Sequence, residues 1–487
     1  MAVVALLVTL MGACARPPSA PDVVLISIDS LRADHLGAYG YARPTSPFLD
    51  RLAREGLRYT DARTASPWTL PSHLTMLTGM WPTDHQVVED DLALRSDVPM
   101  VQERLREAGW ATAGFVSTVY VARPYGFARG FDVYEDYGIT QRTNLAHAVR
   151  ADRLVADALA WGKTLESSRP AFLFVHVYDT HYPYLPPKPW DTRFDRAGSA
   201  AEARYRTYAW YAEHPLPKAR MDHQVAQYDE SIAFVDDELR RLAEGWKALG
   251  RDATFVVTAD HGEELGERGS WGHAHTLYAE AMRVPLIVSG ARVSPGVRDE
   301  RVGTVDLAAT IAAMAGLPWD GPGVDVRGAV PARPMLAETS RFSSARLSLL
   351  DGRWRLDLNL VAGTRELYDV VADPGEAAAS ADAATADSME RALWAALGEP
   401  WTLNEGAVAT SGFLWRDGAL AGKRLDTPGP FGMYPPDATV NGAIRGVVEA
   451  GSRGDVTYGG PRRAAITTIP DATRQQLEEL GYLQGPE

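Results

Sequence analysis

Val23-Val24-Leu25-Ile26-Ser27-Ile28, closed by Asp29, is the stretch on which the fold turns. Apart from Ser27 it is apolar throughout, the pattern of a strand covered on both faces. Two later runs repeat the design. Phe172-Leu173-Phe174-Val175-His176-Val177-Tyr178 leads into Asp179, and Thr254-Phe255-Val256-Val257-Thr258-Ala259 leads into Asp260. Trp110 to Ser117 and Val284 to Ser289 are two further strand candidates. Helical patterns lie between them. Pro47 opens one behind Ser46, with Phe48, Leu49, Leu52 and Ala53 on its apolar side and Gly56 at its end. Residues 222–248 form another, with Val225, Tyr228, Ile232, Val235 and Leu239 on one stripe. The alternation predicts an α/β fold built on a large, doubly wound sheet. Such sheets bind ligands at the carboxyl ends of their strands. Asp29, Asp179 and Asp260 all fall at that edge.

Composition narrows what such a site can serve. Among 487 residues, 49 Lys and Arg against 63 Asp and Glu leave a net charge of −14, which argues against a nucleic-acid binder. A single cysteine, Cys14, excludes disulfides and Cys-rich metal sites. It follows the apolar run Ala2 to Met11 and the small residues Gly12 and Ala13. That run is too short to span a bilayer and resembles the core of an export signal. The small residues before the lone cysteine resemble a bacterial lipobox. Residues 1–21 are therefore read as a signal and tether, with Cys14 as the lipidation site. This predicts an exported protein, periplasmic or held at a membrane only through that lipid.

Histidines gather near the strand-end acids. His181 follows Asp179, His261 follows Asp260, and His273 and His275 come shortly after. Carboxylate with neutral imidazole suits zinc or manganese better than calcium. The donors exceed the need of one tetrahedral ion and predict two divalent cations, an arrangement used in phosphate-ester chemistry. His176 is set aside, because it stands an odd number of residues before Asp179 and a strand would point the two to opposite faces.

Between the first and second of these strands, Thr69-Leu70-Pro71-Ser72-His73 opens a short helix that Gly79 terminates. A hydroxyl at a helix N-terminus faces unpaired N–H groups that favour an anion.

At these residues a resemblance becomes specific. Ile28-Asp29-Ser30-Leu31-Arg32-Ala33-Asp34-His35-Leu36-Gly37 is similar to the N-terminal signature of the sulfatase family, part of the alkaline-phosphatase superfamily. Thr69-Leu70-Pro71-Ser72-His73 with Leu77-Thr78-Gly79 resembles its nucleophile motif. Asp260-His261-Gly262-Glu263, Arg283-Val284-Pro285, Val305-Asp306-Leu307 and Glu366-Leu367-Tyr368-Asp369 resemble later family blocks, in the expected order. The resemblance implies an alkaline-phosphatase-like catalytic domain over 22–335 and a smaller antiparallel-sheet subdomain over 336–380. Residues 381–487, an Ala-rich helix and a Gly/Pro-rich tail, carry no family motif. A short helix from Asp471 to Leu480 is expected near the end.

Three departures from the family pattern carry information. The family oxidises a Cys or Ser to an aldehyde; the methyl on the Cβ of Thr69 forbids that product. The motif's Arg is His73, and the usual Asp-Asp pair is Asp29-Ser30. The superfamily pattern implies one cation on Asp29, Thr69, Asp260 and His261 and a second on Asp179, His181 and His273. Thr69 would then attack phosphorus to give a phospho-threonine, with His181 or His73 serving the leaving oxygen. Arg32 and His275 are further candidates for holding an anionic small-molecule, lipid or glycan ester. The expected activity is phosphate mono- or diester hydrolysis. A sulfatase working without the aldehyde, a phosphotransferase and a non-catalytic binding lipoprotein are the alternatives.

Overall fold

In the computed structural model all seven residues of the strand Asp22–Ile28 are buried, as its two-faced apolar pattern requires. The structure describes residues 20–397 except 91, 139–148, 198–213, 342–345 and 360–363, together with the backbone of short strands between 400 and 468. Cys14 and the expected helix from Asp471 to Leu480 lie outside the described residues.

Asp22–Ile28 sits near the centre of a nine-stranded sheet, parallel to Ala171–Val177 on one side and to Ala253–Thr258 on the other. Ala111–Val116 and then Val133–Glu135 extend the parallel run outward. Arg283–Ser289 pairs antiparallel with both Ala253–Thr258 and Leu57–Arg63, which makes the sheet mixed. Gly296–Arg298 and Val302–Gly303 complete the far edge. Helices cover the sheet, so the central strands are buried on both faces. The five strands and two helices legible from the sequence form within a few residues of their expected bounds.

The long helix Lys218–Ala248 does more than cover the sheet. Its Tyr228 hydroxyl accepts the Arg32 N–H at 2.9 Å and donates to the Ser30 carbonyl at 2.8 Å, bracing the turn after the first strand. Its Asp236 accepts the N–H groups of Phe48 and Leu49, capping the helix Pro47–Glu55 from outside that helix. Among the described residues no helix is long and apolar enough to cross a membrane.

A second sheet of four antiparallel strands runs in sequence order over Met335–Thr339, Arg346–Asp351, Trp354–Asn359 and Thr364–Asp369. The helix Ala383–Leu397 packs on it through Ala386, Met389 and Leu393. One buried carboxylate links this unit to the larger one. Glu376 accepts Arg355 Nε at 2.7 Å through one oxygen and the Ala279 N–H at 2.9 Å through the other. Asp357, 3.0 Å from Arg355 Nη1, remains as a counter-charge, so Glu376→Ala is expected to cost about 1–3 kcal/mol in denaturant unfolding. Beyond the helix, Ile466–Thr468 pairs antiparallel with Leu92–Leu94, returning the chain to the main unit.

Candidate metal centre and nucleophile

Three neighbouring segments converge at the carboxyl edge of the large sheet. The first strand ends at Ile28, and the Asp29 N–H donates to the Val177 carbonyl at 2.9 Å, which holds Asp29 in line with the sheet. Ser30 then turns the chain with φ +57°, an uncommon backbone for a residue with a side chain. The turn aims the Ser30 N–H at Asp260 Oδ1, 3.1 Å away. The same oxygen accepts the His261 N–H at 2.9 Å. Asp260 is thereby fixed through Oδ1, and Oδ2 is left with no hydrogen-bond partner. Asp29 is arranged alike: Oδ1 accepts the Ser30 hydroxyl at 2.9 Å, and Oδ2 has no hydrogen bond.

His261 completes the group. Its Nδ1–H donates to the Gly262 carbonyl at 2.8 Å, so the Nε2 lone pair faces the acids. Nε2 lies 3.4 Å from Asp260 Oδ2 and 3.7 Å from Asp29 Oδ1. Two fully buried carboxylates and a lone pair within 4.8 Å of one another, with no Lys or Arg paired to either acid among the described residues, form a donor set for a cation. The two orphaned carboxylate oxygens are what a metal ion would satisfy, so these residues fit one divalent ion with oxygen and nitrogen donors. In the metal-free protein, burial and then the neighbouring Asp29 push the Asp260 carboxyl up to about 6. Burial opposes ionisation of Asp29 too, but His176 and the nearby imidazoles outweigh it and hold that acid well below the ordinary range. A cation needs Asp260 ionised. Metal retention, measured by dialysis and elemental analysis, is therefore expected to fall as pH drops through about 6 and to recover above it.

Thr69 is the first residue of the helix Thr69–Thr78, and every residue of that helix is buried. Its Oγ1 stands 3.5 Å from His261 Nε2, at the mouth of the acid pair. Gly79, at φ +64°, closes the helix; a Cβ there would meet Trp319 Nε1 at 2.7 Å. Ser72 donates its hydroxyl to the Asp260 carbonyl and so clamps this helix to the third strand.

The remaining expected residues divide. His181 and His273 join the cluster: the His273 ring lies 4.2 Å from that of His261 and 4.9 Å from that of His181. His181 Nδ1–H donates to the Tyr182 carbonyl and His273 Nδ1–H to Glu263 Oε1, leaving both Nε2 atoms uncommitted. Burial lowers the pKa of each, most strongly at His273, so both imidazoles are neutral. Asp179 does not join them. Its Oδ2 accepts the Ala151 N–H at 2.9 Å, at the start of the helix Ala151–Gly162, and among the described residues it is in neither group of donors lying within 4.8 Å of one another.

His73 is also corrected. It sits four residues along the helix from Thr69, so its Nδ1–H meets the Thr69 carbonyl at 2.8 Å and its Nε2 accepts from Ser27 at 3.0 Å. With both nitrogens hydrogen-bonded and the side chain fully buried, His73 supports the helix start beneath Thr69; its Nδ1 lies 3.7 Å from Asp260 Oδ2, and His73, His176 and Asp260 form a second buried donor group. Arg32 turns to Asp34, Glu267 and the Glu263 carbonyl, away from the cluster. His275 lies beside Arg341, which stacks over Trp68 and Tyr120.

His176 is the residue that sequence reasoning wrongly set aside. Its Nε2 lies 3.3 Å from Asp29 Oδ2, and its ring is 4.9 Å from that of His73. The strand ends at Val177, so alternation cannot be counted as far as Asp179. The useful comparison is across the sheet, where His176 pairs in register with Ser27 and shares a face with it and Asp29.

With this geometry in hand, comparison with known proteins is direct. The sulfatase family model matches residues 21–317, which contain the whole cluster. The chain belongs to the sulfatase family. It is 24% identical over 426 residues to a choline-sulfatase of Rhizobium meliloti, covering 73% of this chain and 81% of that one. It is also 24% identical over 352 residues to a multifunctional alkaline phosphatase superfamily protein, PehA of Trinickia caryophylli, covering 55% and 68%. A phosphonate monoester hydrolase of Agrobacterium radiobacter shares the fold, with a TM-score of 0.62 at 20% identity over 77% of this chain and 95% of that one. This sulfatase-family chain is an ester hydrolase, and enzymes of the family generally depend on a metal.

Proposed function

We propose that this sulfatase-family hydrolase cleaves phosphate mono- or diesters with Thr69 as nucleophile. The observation that carries the reading is a threonine at the mouth of the Asp29–Asp260–His261 group, where the aldehyde chemistry of the family is closed to it. Asp29, Asp260, His261 and the Thr69 hydroxyl would hold a zinc or manganese ion. The ion, when bound, supplies positive charge that acidifies a coordinated hydroxyl and offsets charge on the reacting ester.

This chain's own residues do the rest. The helix start presents Thr69 Oγ1 together with main-chain N–H groups that lack an intrahelical acceptor, a setting that favours an anion. Thr69 Oγ1 bonds to phosphorus as the bond to the leaving oxygen breaks. His181 or His273 takes the Thr69 hydroxyl proton on its uncommitted Nε2 lone pair and passes it on to that oxygen. Water then attacks phosphorus, breaks the bond to Thr69 and regenerates the hydroxyl. A second alcohol in place of water would make the enzyme a phosphotransferase. His181 and His273 remain as donors for a second cation, now without Asp179. An anionic small-molecule, lipid or glycan ester fits such a cleft, and the N-terminal pattern around Cys14 supports an exported, lipid-held enzyme.

The sulfatase names of several relatives favour a second reading, sulfate-ester hydrolysis without the aldehyde. A panel of aryl phosphate monoesters, phosphate diesters and sulfates, assayed with Zn²⁺ or Mn²⁺, separates the two. Phosphoester turnover is expected to exceed sulfate turnover by at least about 100-fold, a difference of under 3 kcal/mol in barrier. The reverse order would replace this reading with the second.

A further inference from the structure

Away from the catalytic cluster, a cleft of about 600 Å³ opens between the large unit and the loop that carries Pro374 and Gly375. The main chain at Glu263 separates the two places. Its carbonyl accepts Arg32 Nη1 from the cleft side, while its carboxylate accepts His273 in the cluster. Four arginines, Arg32, Arg58, Arg268 and Arg283, line the cleft. Two of them are neutralised: Arg32 by Asp34 and Glu267, and Arg268 by Glu280.

The other two are not. Arg283 makes one hydrogen bond, to the Thr60 carbonyl at 3.1 Å, and Arg58 makes none, its guanidinium lying 5.0 Å over the Tyr39 ring. Neither has a carboxylate within ion-pair distance among the described residues. Arg283 is partly buried, and burial followed by the like charge of Arg63 lowers its pKa against the opposing pull of Asp61, Asp34 and Glu376. A partly buried guanidinium fork on a cleft that a second arginine without an ion pair also lines is suited to a tetrahedral oxyanion through paired N–H groups. In a chain of net charge −14 this local excess is not a general property of the surface.

We propose that this cleft is a second anion site, binding a tetrahedral oxyanion (inorganic phosphate or sulfate, or the terminal group of a phosphate or sulfate ester) between Arg58 and Arg283. Arg58 is outside the catalytic machinery, so its removal should leave turnover alone.

The test uses the full-length, metal-loaded protein. Calorimetric titration with inorganic phosphate should show two classes of site in the wild type, and Arg58→Ala should weaken one class by about tenfold or more while kcat is unchanged. Repeating the titration with glycerol phosphate on Thr69→Ala, which cannot turn it over by the proposed route, distinguishes the sources. Tighter binding than phosphate assigns the site to an ester's terminal group; weaker binding assigns it to the free oxyanion. Crystals grown without phosphate or sulfate and soaked in tungstate give a check that needs no variant, and an anomalous peak is expected between Arg58 and Arg283. A single class of site unaffected by Arg58→Ala, or tungstate absent from the cleft, would overturn the proposal.

Discussion

Thr69→Ala is expected to lower kcat/KM on phosphoesters by at least about 10⁴-fold, the scale of removing a covalent nucleophile. The loss should not come from the scaffold. Thr69 Oγ1 makes a single 3.5 Å contact, to His261, so the helix and the acid pair remain without it. Metal should still bind through Asp29, Asp260 and His261, with affinity lowered by the loss of the hydroxyl donor. Thr69→Ser supplies the control: it keeps the hydroxyl, loses only the methyl, and should retain activity to within about tenfold. Quenching the reaction and mapping peptides should show phosphate on residue 69 in the wild type and on none in the alanine variant. An alanine variant as active as wild type would end the role of Thr69.

Asp260→Asn should divide function from stability. The asparagine oxygen can still accept the Ser30 and His261 N–H groups, so the local backbone is kept. The lost charge is the one that Asp29 and burial oppose in the metal-free protein. Activity and bound metal should fall by at least about 100-fold, because an ionised ligand is gone. The chelated protein should instead melt a few degrees higher than chelated wild type above pH 6. The sign follows from linkage. Asp260 has a raised folded pKa, so in the metal-free wild type its stabilising protonated state is lost as pH rises through about 6. The neutral amide never undergoes that loss. Melting curves in chelator at about pH 4 and pH 8 check it: the gap between the two proteins should open between about pH 4 and 6 and be widest at pH 8.

Much of the fold was legible because buried parallel strands are written as unbroken apolar runs, and Asp22–Ile28 is one. Asp29 and Asp260 were legible because each is a carboxylate delivered by such a strand to the ligand edge. Asp179 looks the same in sequence, yet it serves the helix Ala151–Gly162; only the packing of that helix shows where its carboxylate goes. His73 stands in a motif position and still points down, because the helical rise carries its ring onto the Thr69 carbonyl. His176 was hidden by counting alternation past the end of a strand, and Arg32 by its partners Asp34 and Glu267. Which groups pair across a fold is set by register and packing, which one sequence does not print.

The helix Thr69–Thr78 has no residue facing solvent. That bears on how such an enzyme can change over generations. Nearly every substitution along the helix disturbs close packing and is removed by selection for folding. Position 69 differs from its neighbours, since its side chain ends at the mouth of the acid pair and holds little of the helix in place. Chemistry can drift there while the scaffold stands still. A lineage could therefore exchange one nucleophile for another in a single step, and directed evolution of this enzyme would do best with libraries centred on residue 69 and the loops around the cleft.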